Sequence, residues 1–254
     1  MDRDLDRKTT PKAGSRFHYH GNLGNGSEVK LQAEASHHAV RVLRLAVGDP
    51  VALFDGRGGE FEARITRIDR GEVSVKTGVH RPVERESGLN IRLVQGLSSG
   101  DRMDITLQKA VELGVTTIQP VSTERSIVKL KEERAQRRME HWQSLVVSAC
   151  EQCGRNRVPE VLPLLDFPSW LAQLTMADEM RLMLSPSASM HLKELPAPVR
   201  LMLLIGPEGG LSPVEMQLAQ SRGFQPIRLG PRILRTETAA LAALSAVQIL
   251  WGDF

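Results

Sequence analysis

Hydrophobic and polar positions alternate along this chain in two different regimes. Between Arg16 and about Thr77 the apolar residues come in short runs, Val29-Lys30-Leu31, Val51 to Phe54, Phe61 to Ile68 and Val73-Ser74-Val75, divided by Gly-Asp-Pro, Gly-Arg-Gly-Gly and Arg-Gly turns. Alternation of period two bounded by turn residues predicts half-buried strands, and short strands of this number close into a small barrel. One short helix interrupts them, with Ser36 expected at its N-cap, Ala39, Val40 and Leu43 on one face and Arg41 and Arg44 on another.

From about residue 89 the regime changes to strands alternating with helices. Ile91–Val94 precedes a helix over Asp101–Leu113 that stops at Gly114, and the strand Thr117–Val121 precedes a long basic helix over about 131–153. A strand near Val161, a short helix near Trp170, strands at Arg181–Leu184 and Leu201–Ile205, a helix from Ser212, a strand at Ile227–Leu229 and a last helix from about Thr236 complete the reading. Ser212-Pro213-Val214-Glu215 has the residues of a capping box with proline at the first helical position. Such alternation predicts an α/β fold on a doubly wound parallel sheet. The expected division is a flexible tail at 1–14, a β-barrel domain at 15–78, a linker at 79–88 and the α/β domain at 89–254.

Candidate chemistry gathers in the last quarter. The apolar run Val199–Ile205 breaks into Gly206-Pro207-Glu208-Gly209-Gly210, and twenty residues on comes Leu229-Gly230-Pro231-Arg232-Ile233-Leu234-Arg235-Thr236-Glu237-Thr238. Each loop follows a strand and precedes a helix, which puts both at the carboxyl ends of parallel strands, where ligands of such sheets bind. Glycine leaves backbone N–H and C=O groups bare to a flat ligand. The first loop alone also reads as an ordinary strand-to-helix turn. Arg232, Arg235 and Glu237, three charges within six residues, make the second more than that. Arg235 and Glu237 either act on a substrate or pair with each other to cap the final helix. Gly-x-Gly-x-x-Gly after an early strand and the phosphate-cradling Gly-x-x-x-x-Gly-Lys motif are both missing.

Composition and charge narrow the partners. A chain of 254 residues, 41% hydrophobic and 25% charged, has the make-up of an ordinary globular protein. The net charge is only +3, but residues 125–157 hold eight Lys/Arg against four acids. That stretch is a solvated helix face or a surface for phosphates. No segment approaches the roughly 18 apolar residues of a membrane span, and the start lacks a signal peptide's apolar core, so a cytoplasmic protein without a membrane partner is expected. Cys150 and Cys153 form a lone Cys-x-x-Cys, read as two reduced structural thiols, and the pairs His18/His20 and His37/His38 lack zinc-site spacing, so no metal is expected.

With Glu112-Leu113-Gly114-Val115 and Glu124-Arg125-Ser126, the two loops closely resemble the SPOUT superfamily of knotted RNA methyltransferases. Within it, Ile-Gly-Pro-Glu-Gly-Gly-Leu-Ser followed by Leu-Gly-Pro-Arg-Ile-Leu-Arg-Thr-Glu-Thr-Ala resembles the 16S ribosomal RNA uracil-1498 N3-methyltransferases, over roughly residues 16–252. The resemblance implies a knotted SPOUT domain preceded by a PUA-like RNA-binding barrel, with S-adenosylmethionine as cofactor. Its binding residues would be Leu184, then Leu204, Ile205, Gly206, Pro207, Glu208 and Gly209 in the first loop, then Leu229, Gly230, Arg232, Ile233, Leu234 and Thr238 around the second.

Methylation of uridine N3 must remove a proton from a neutral group, so Glu237 is the candidate base or orienter and Arg235 the candidate for charge on O2 or O4. Arg16, His38, Arg41, Arg44, Arg125 and Arg155 are the candidates for RNA contact, in the context of 16S rRNA within the small ribosomal subunit. Ala239, Ala242, Ala243 and Ala246 on the last helix suit either packing on its own sheet or the homodimer that the resemblance implies. Ser98-Ser99-Gly100-Asp101-Arg102 departs from the family by lacking the lysines often written there, and leaves the role of Arg102 open. Two further readings remain: a SPOUT 2′-O-ribose methyltransferase, which would use the same loops, and a non-catalytic RNA-binding assembly factor.

Overall fold

A computed structural model describes residues 15–127, 132–175 and 178–254; the expected tail and Lys129 and Lys131 of the basic stretch lie outside the described residues. The chain divides into two compact units, one of residues up to Glu86 with Cys150–Val158, the other of Ser87–Ala149 with Pro159–Phe254.

The first unit is built on strands β1 (Arg16–His18), β2 (Glu28–Lys30), β3 (Pro50–Phe54), β4 (Glu60–Asp69) and β5 (Glu72–Arg81), in the order β1-β3-β4-β5-β2. β1 runs parallel to β3 and the other neighbours are antiparallel. Alternation along β4 sends Phe61, Ala63 and Ile65 into a core with Phe17, Leu53, Val73 and Val75. Two register shifts against β5, between Phe61/Ala63 and Ile65/Arg67, bend that strand. β5 continues to Arg81, opposite Glu60, so residues 79–81, expected in the linker, are paired sheet instead. β1 has only three residues and no periodicity to betray it.

Helix α1 (Ala33–His37) runs on into a π turn over His38–Val42. Gln32, not Ser36, holds the N-cap position. Ser36 is buried, and its hydroxyl donates to the Leu31 carbonyl at 3.2 Å and accepts from the Val73 N–H at 3.3 Å. It serves backbone groups of the neighbouring sheet, where an unpaired amide would be costly.

Polar contacts tie Cys150–Val158 into this unit. Asn156 is fully buried, donates to the Val83 carbonyl at 2.6 Å and accepts from Arg16 Nη2 at 2.8 Å. Arg85 donates to the Gly154 carbonyl at 2.9 Å, and the Glu151 carboxylate accepts from the His18 N–H at 2.9 Å. Both cysteines are free, and burial pushes the Cys150 thiol up to about 12, which keeps it protonated and inert.

The second unit contains β6 (Asn90–Gly96), α2 (Gly100–Glu112), β7 (Val115–Ser122), α3 (Glu132–Cys153) as far as Ala149, β8 (Glu160–Val161), β9 (Leu165–Asp166), α4 (Phe167–Gln173), β10 (Met180–Leu184), β11 (Arg200–Ile205), α5 (Pro213–Ser221), β12 (Gln225–Ile227) and α6 (Thr236–Trp251). Its sheet has the order β12-β10-β11-β6-β7-β8, with β9 also on β7, and every pairing is parallel. Covered on both faces, β11 is apolar and buried from Leu201 to Ile205. Met202 and Leu204 join Phe167, Trp170 and Phe224 in one cluster, and the residues between them point to the other face.

α2 packs against α6, where Ala240 and Ala243 are fully buried. Ala243, one of the small residues suited to either neighbour, is therefore taken up inside its own unit, and Ala242 is the exposed one. β12 ends at Ile227, two residues before the expected Leu229, because Leu229 turns out of the sheet to line a cavity. No described helix is long and apolar enough to cross a membrane.

Candidate active site

β12, β10 and β11 are neighbours in one parallel sheet, so the loops that leave their carboxyl ends lie side by side. These loops, with Thr236 and Ala239 of α6, Met216 of α5 and Arg125, enclose a cavity of about 370 Å³. That is within the usual size of small-molecule sites, about 300–1,000 Å³. Of the expected cofactor residues, the lining contains Leu184, Ile205, Gly206, Pro207, Glu208, Gly209, Leu229, Gly230, Arg232, Ile233 and Leu234. Leu204 does not line it: the strand's alternation turns this side chain into the core. Thr238 is exposed, and helical spacing puts Thr236 and Ala239 on the cavity side instead. Ser185 and Ser187, from the loop after β10, were not foreseen, since no motif marks that segment.

The first loop is held at nearly every position. A Cβ on Gly206 would come within 2.9 Å of backbone atoms of Gly210 and Leu211, and one on Gly96 within 2.6 Å of the Pro207 nitrogen. Thr236 Oγ1 donates to the Gly206 carbonyl at 2.7 Å and accepts from Gln95 Nε2 at 3.0 Å, which links this loop to β6 and α6. The Gly210 N–H donates to Pro207 O at 2.9 Å, with Gly210 itself at φ +67°. Ser212 then starts α5 with the capping box expected.

Glu208 is the electrostatic centre of that loop. Its Oε1 accepts from the Ser99 N–H, the Ser99 hydroxyl and Arg102 Nη1, each at 2.9 Å. Burial raises its carboxyl, but the backbone hydrogen bonds, Arg102 and the Ser99 hydroxyl outweigh it and hold the group at about 2. Arg102 Nε also stands 3.9 Å from Glu237 Oε1. Glu237 therefore pairs with Arg102, and no ion pair engages Arg235 among the described residues. Arg235 is exposed, at the N-cap position of α6 with extended backbone and no side-chain cap. The alternative in which Arg235 and Glu237 pair to cap the helix is not what forms.

The expected RNA-contacting residues separate into three sets. Arg125 lies at the cavity, where Nη1 donates to the Gly209 carbonyl at 3.0 Å. Arg155 is 4% exposed and paired with Glu86, its Nε 2.9 Å from Oε2, so burial removes it from any surface. Arg16 is directed inward as well, bonded to Glu60 and Asn156 with its guanidinium 5.0 Å from the centre of the Phe54 ring. His38, Arg41 and Arg44 are exposed on the π turn and just after it, with Arg44 at φ +53°.

The RNA methyltransferase domain family matches residues 85–248, and the RNA methyltransferase PUA domain family matches residues 31–77. A ribosomal RNA small subunit methyltransferase E of Buchnera aphidicola is 37% identical over 226 residues, which cover 89% of this chain and 92% of its own. Among solved structures, a methyltransferase of Legionella pneumophila with bound SAM superposes with a TM-score of 0.90 at 40% identity, covering 94% of this chain and 98% of that one. A ribosomal RNA small subunit methyltransferase E of Neisseria gonorrhoeae bound to S-adenosyl methionine gives a TM-score of 0.87 at 44% identity, with the same coverage of 94% and 98%.

Proposed function

Because the chain belongs to the RNA methyltransferase family of the ribosomal RNA small subunit methyltransferases E, we propose that it methylates N3 of one uridine, of the U1498 type, in 16S rRNA of the small ribosomal subunit. The observation that carries the reading is the cavity at the carboxyl ends of three adjacent parallel strands, floored by a loop in which Gly206 leaves the backbone bare. The residues present suit S-adenosylmethionine. Glu208 Oε2 and Arg228 Nε, both on cavity-lining residues, are enclosed without a hydrogen-bond partner among the described residues, and a ligand with an ammonium, a carboxylate and two ribose hydroxyls has groups for such atoms. Backbone of 205–209 and 229–234 would hold the adenine and ribose. When bound, the cofactor supplies a methyl group on a positively charged sulfur.

The protein's task is then to bring uridine N3 to that methyl group and to take its proton. Glu237, one residue beyond the cavity-lining Thr236, is the proposed acceptor of the N3 proton or orienter of the base. Arg235, exposed at the start of α6 and without an ion pair among the described residues, is the proposed partner of the charge that gathers on O2 or O4. In a duplex N3 is covered by base pairing, so the uridine must be splayed out.

The exposed His38, Arg41 and Arg44 are the proposed RNA contacts of the first unit, acting on phosphates. Ile249, Leu250 and Phe254, 65%, 46% and 64% exposed at the end of the chain, suit a homodimer, and the substrate sets the place of action as the cytoplasm.

The test is incubation of the purified protein with labelled S-adenosylmethionine and small subunits from cells lacking the protein, followed by mass analysis of nucleosides. The expected product is 3-methyluridine at one site. A 2′-O-methylated nucleoside would replace the reading with ribose methylation, and cofactor binding without transfer to any subunit or rRNA would favour the assembly factor.

A further inference from the structure

We infer that Arg102 is a positioning residue that ties the floor of the cavity to the start of α6, so that one guanidinium sets both the cofactor loop and Glu237. The inference rests on the function proposed above and adds a residue that the sequence left without a role.

Arg102 lies in the first turn of α2, outside the cavity. Its Nη1 donates to Glu208 Oε1 at 2.9 Å, and its Nε stands 3.9 Å from Glu237 Oε1. The two acids come from different elements, Glu208 from the loop after β11 and Glu237 from the first turn of α6, which follows the loop after β12. Their side chains are 17% and 18% exposed, and the second oxygen of each is enclosed without a hydrogen-bond partner among the described residues. Two largely buried carboxylates thus share one cation. Removing it would leave two like charges in a poorly solvated place, where each disfavours the ionised form of the other.

Glu208 retains two further donors from Ser99, whereas the ion pair of Glu237 among the described residues is with Arg102 alone. Loss of Arg102 should therefore disturb Glu237 more than Glu208. Two nitrogens of a planar fork address the two acids at once, which a lysine ammonium, a single point of charge, does not reproduce.

The experiment measures S-adenosylmethionine affinity by calorimetry, turnover on small subunits and melting temperature for R102M, R102K, E208Q, E237Q and the double variants. R102M is expected to bind the cofactor about tenfold more weakly and to turn over about a hundredfold more slowly, the range set by losing hydrogen bonds to charged groups. R102K should recover binding and leave turnover low. Non-additivity is the signature: R102M should cost no further affinity in E208Q and no further turnover in E237Q.

Full additivity in both cycles, or wild-type binding and turnover in R102M, overturns the inference. Where R102M does not fold, the same cycles with R102K decide, since an R102K indistinguishable from wild type in turnover also overturns it. A wild-type protein that neither binds the cofactor nor methylates subunits would instead remove the functional reading beneath it.

Discussion

The loops at 206–211 and 229–235 look alike in sequence, each a Gly-Pro turn after an apolar strand, and they are built in opposite ways. In the first, Gly206 O is held by Thr236, Gly209 O by Arg125 and Glu208 by three donors, and the backbone closes so tightly on Gly206 that no side chain fits. In the second, Pro231, Arg232 and Ile233 are exposed, Ile233 at 85%, and a Cβ on Gly230 would meet open space. A pre-shaped floor costs little ordering when a ligand arrives, and a loose rim leaves room for a second substrate to enter. Glycine thus means crowding at one loop and mere permission at the other, a difference that the letters do not carry.

The contrast is broken most severely by Gly206→Ala. Its methyl would press on backbone atoms of Gly210 and Leu211, which cannot retreat without straining the hydrogen bond from the Gly210 N–H to the Pro207 carbonyl. The expected loss of stability is about 3 kcal/mol or more, as for overpacking with backbone strain, together with loss of cofactor binding. Urea unfolding and calorimetry check both, and a stable Gly206→Ala that binds normally would mean that the floor is not rigid. Thr236→Val comes next. It removes the donor to the Gly206 carbonyl and the acceptor of Gln95 Nε2 within a buried site, for an expected cost of about 1–3 kcal/mol. A variant as stable as wild type would show that the loop is held by packing alone.

A smaller effect should follow from acid. Glu208 is held at about 2, below its ordinary 4.5, so its ionised form favours the folded loop. That contribution is complete above the ordinary value and is lost as pH falls through the folded one. Melting temperatures of wild type and Glu208→Gln should differ most near neutral pH and converge as pH drops from 4.5 towards 2. A gap that stays constant across that range would show that the charge of Glu208 is not what holds the loop.

Much of the second unit was legible because it is repetitive: buried parallel strands read as apolar runs, and Ser212-Pro213-Val214-Glu215 states its own helix start. The cavity was legible through its glycines on two of its three loops. The loop after β10 was not, because Ser185 and Ser187 enter through strand order, which periodicity does not encode. Thr236 and Thr238 both belong to the second loop's motif, the resemblance points to Thr238, and only the rotation of α6 decides which of them faces inward. Arginines misled most. Arg16 and Arg155 read as surface charge, yet their partners Glu60, Glu86 and Asn156 are far from them in sequence, and a long-range pair leaves no local signature. Ser36 failed as an N-cap for the same reason, since its hydroxyl is taken by backbone groups of Leu31 and Val73.

The smallest expected effect is also the sharpest test of the contrast, because Gly230→Ala makes the same chemical change as Gly206→Ala at the other loop. Gly230 has nothing within 4 Å of an added Cβ, and its backbone is outside the left-handed region that only glycine enters freely. Where native geometry already suits alanine, the substitution acts mainly by reducing the freedom of the unfolded chain, a gain of about 0.4–1 kcal/mol. Stability should therefore be unchanged or slightly raised. Gly230 nevertheless lines the cavity, so a methyl group there takes space from whatever lies against the loop. The expectation is a protein as stable as wild type whose S-adenosylmethionine affinity falls up to about tenfold, the range for one methyl group misplaced in a pocket. Unfolding and calorimetry on the same preparation separate the two quantities. A Gly230→Ala variant that loses more than about 1 kcal/mol of stability would show that the second loop is as tightly built as the first, and the division into floor and rim would fall.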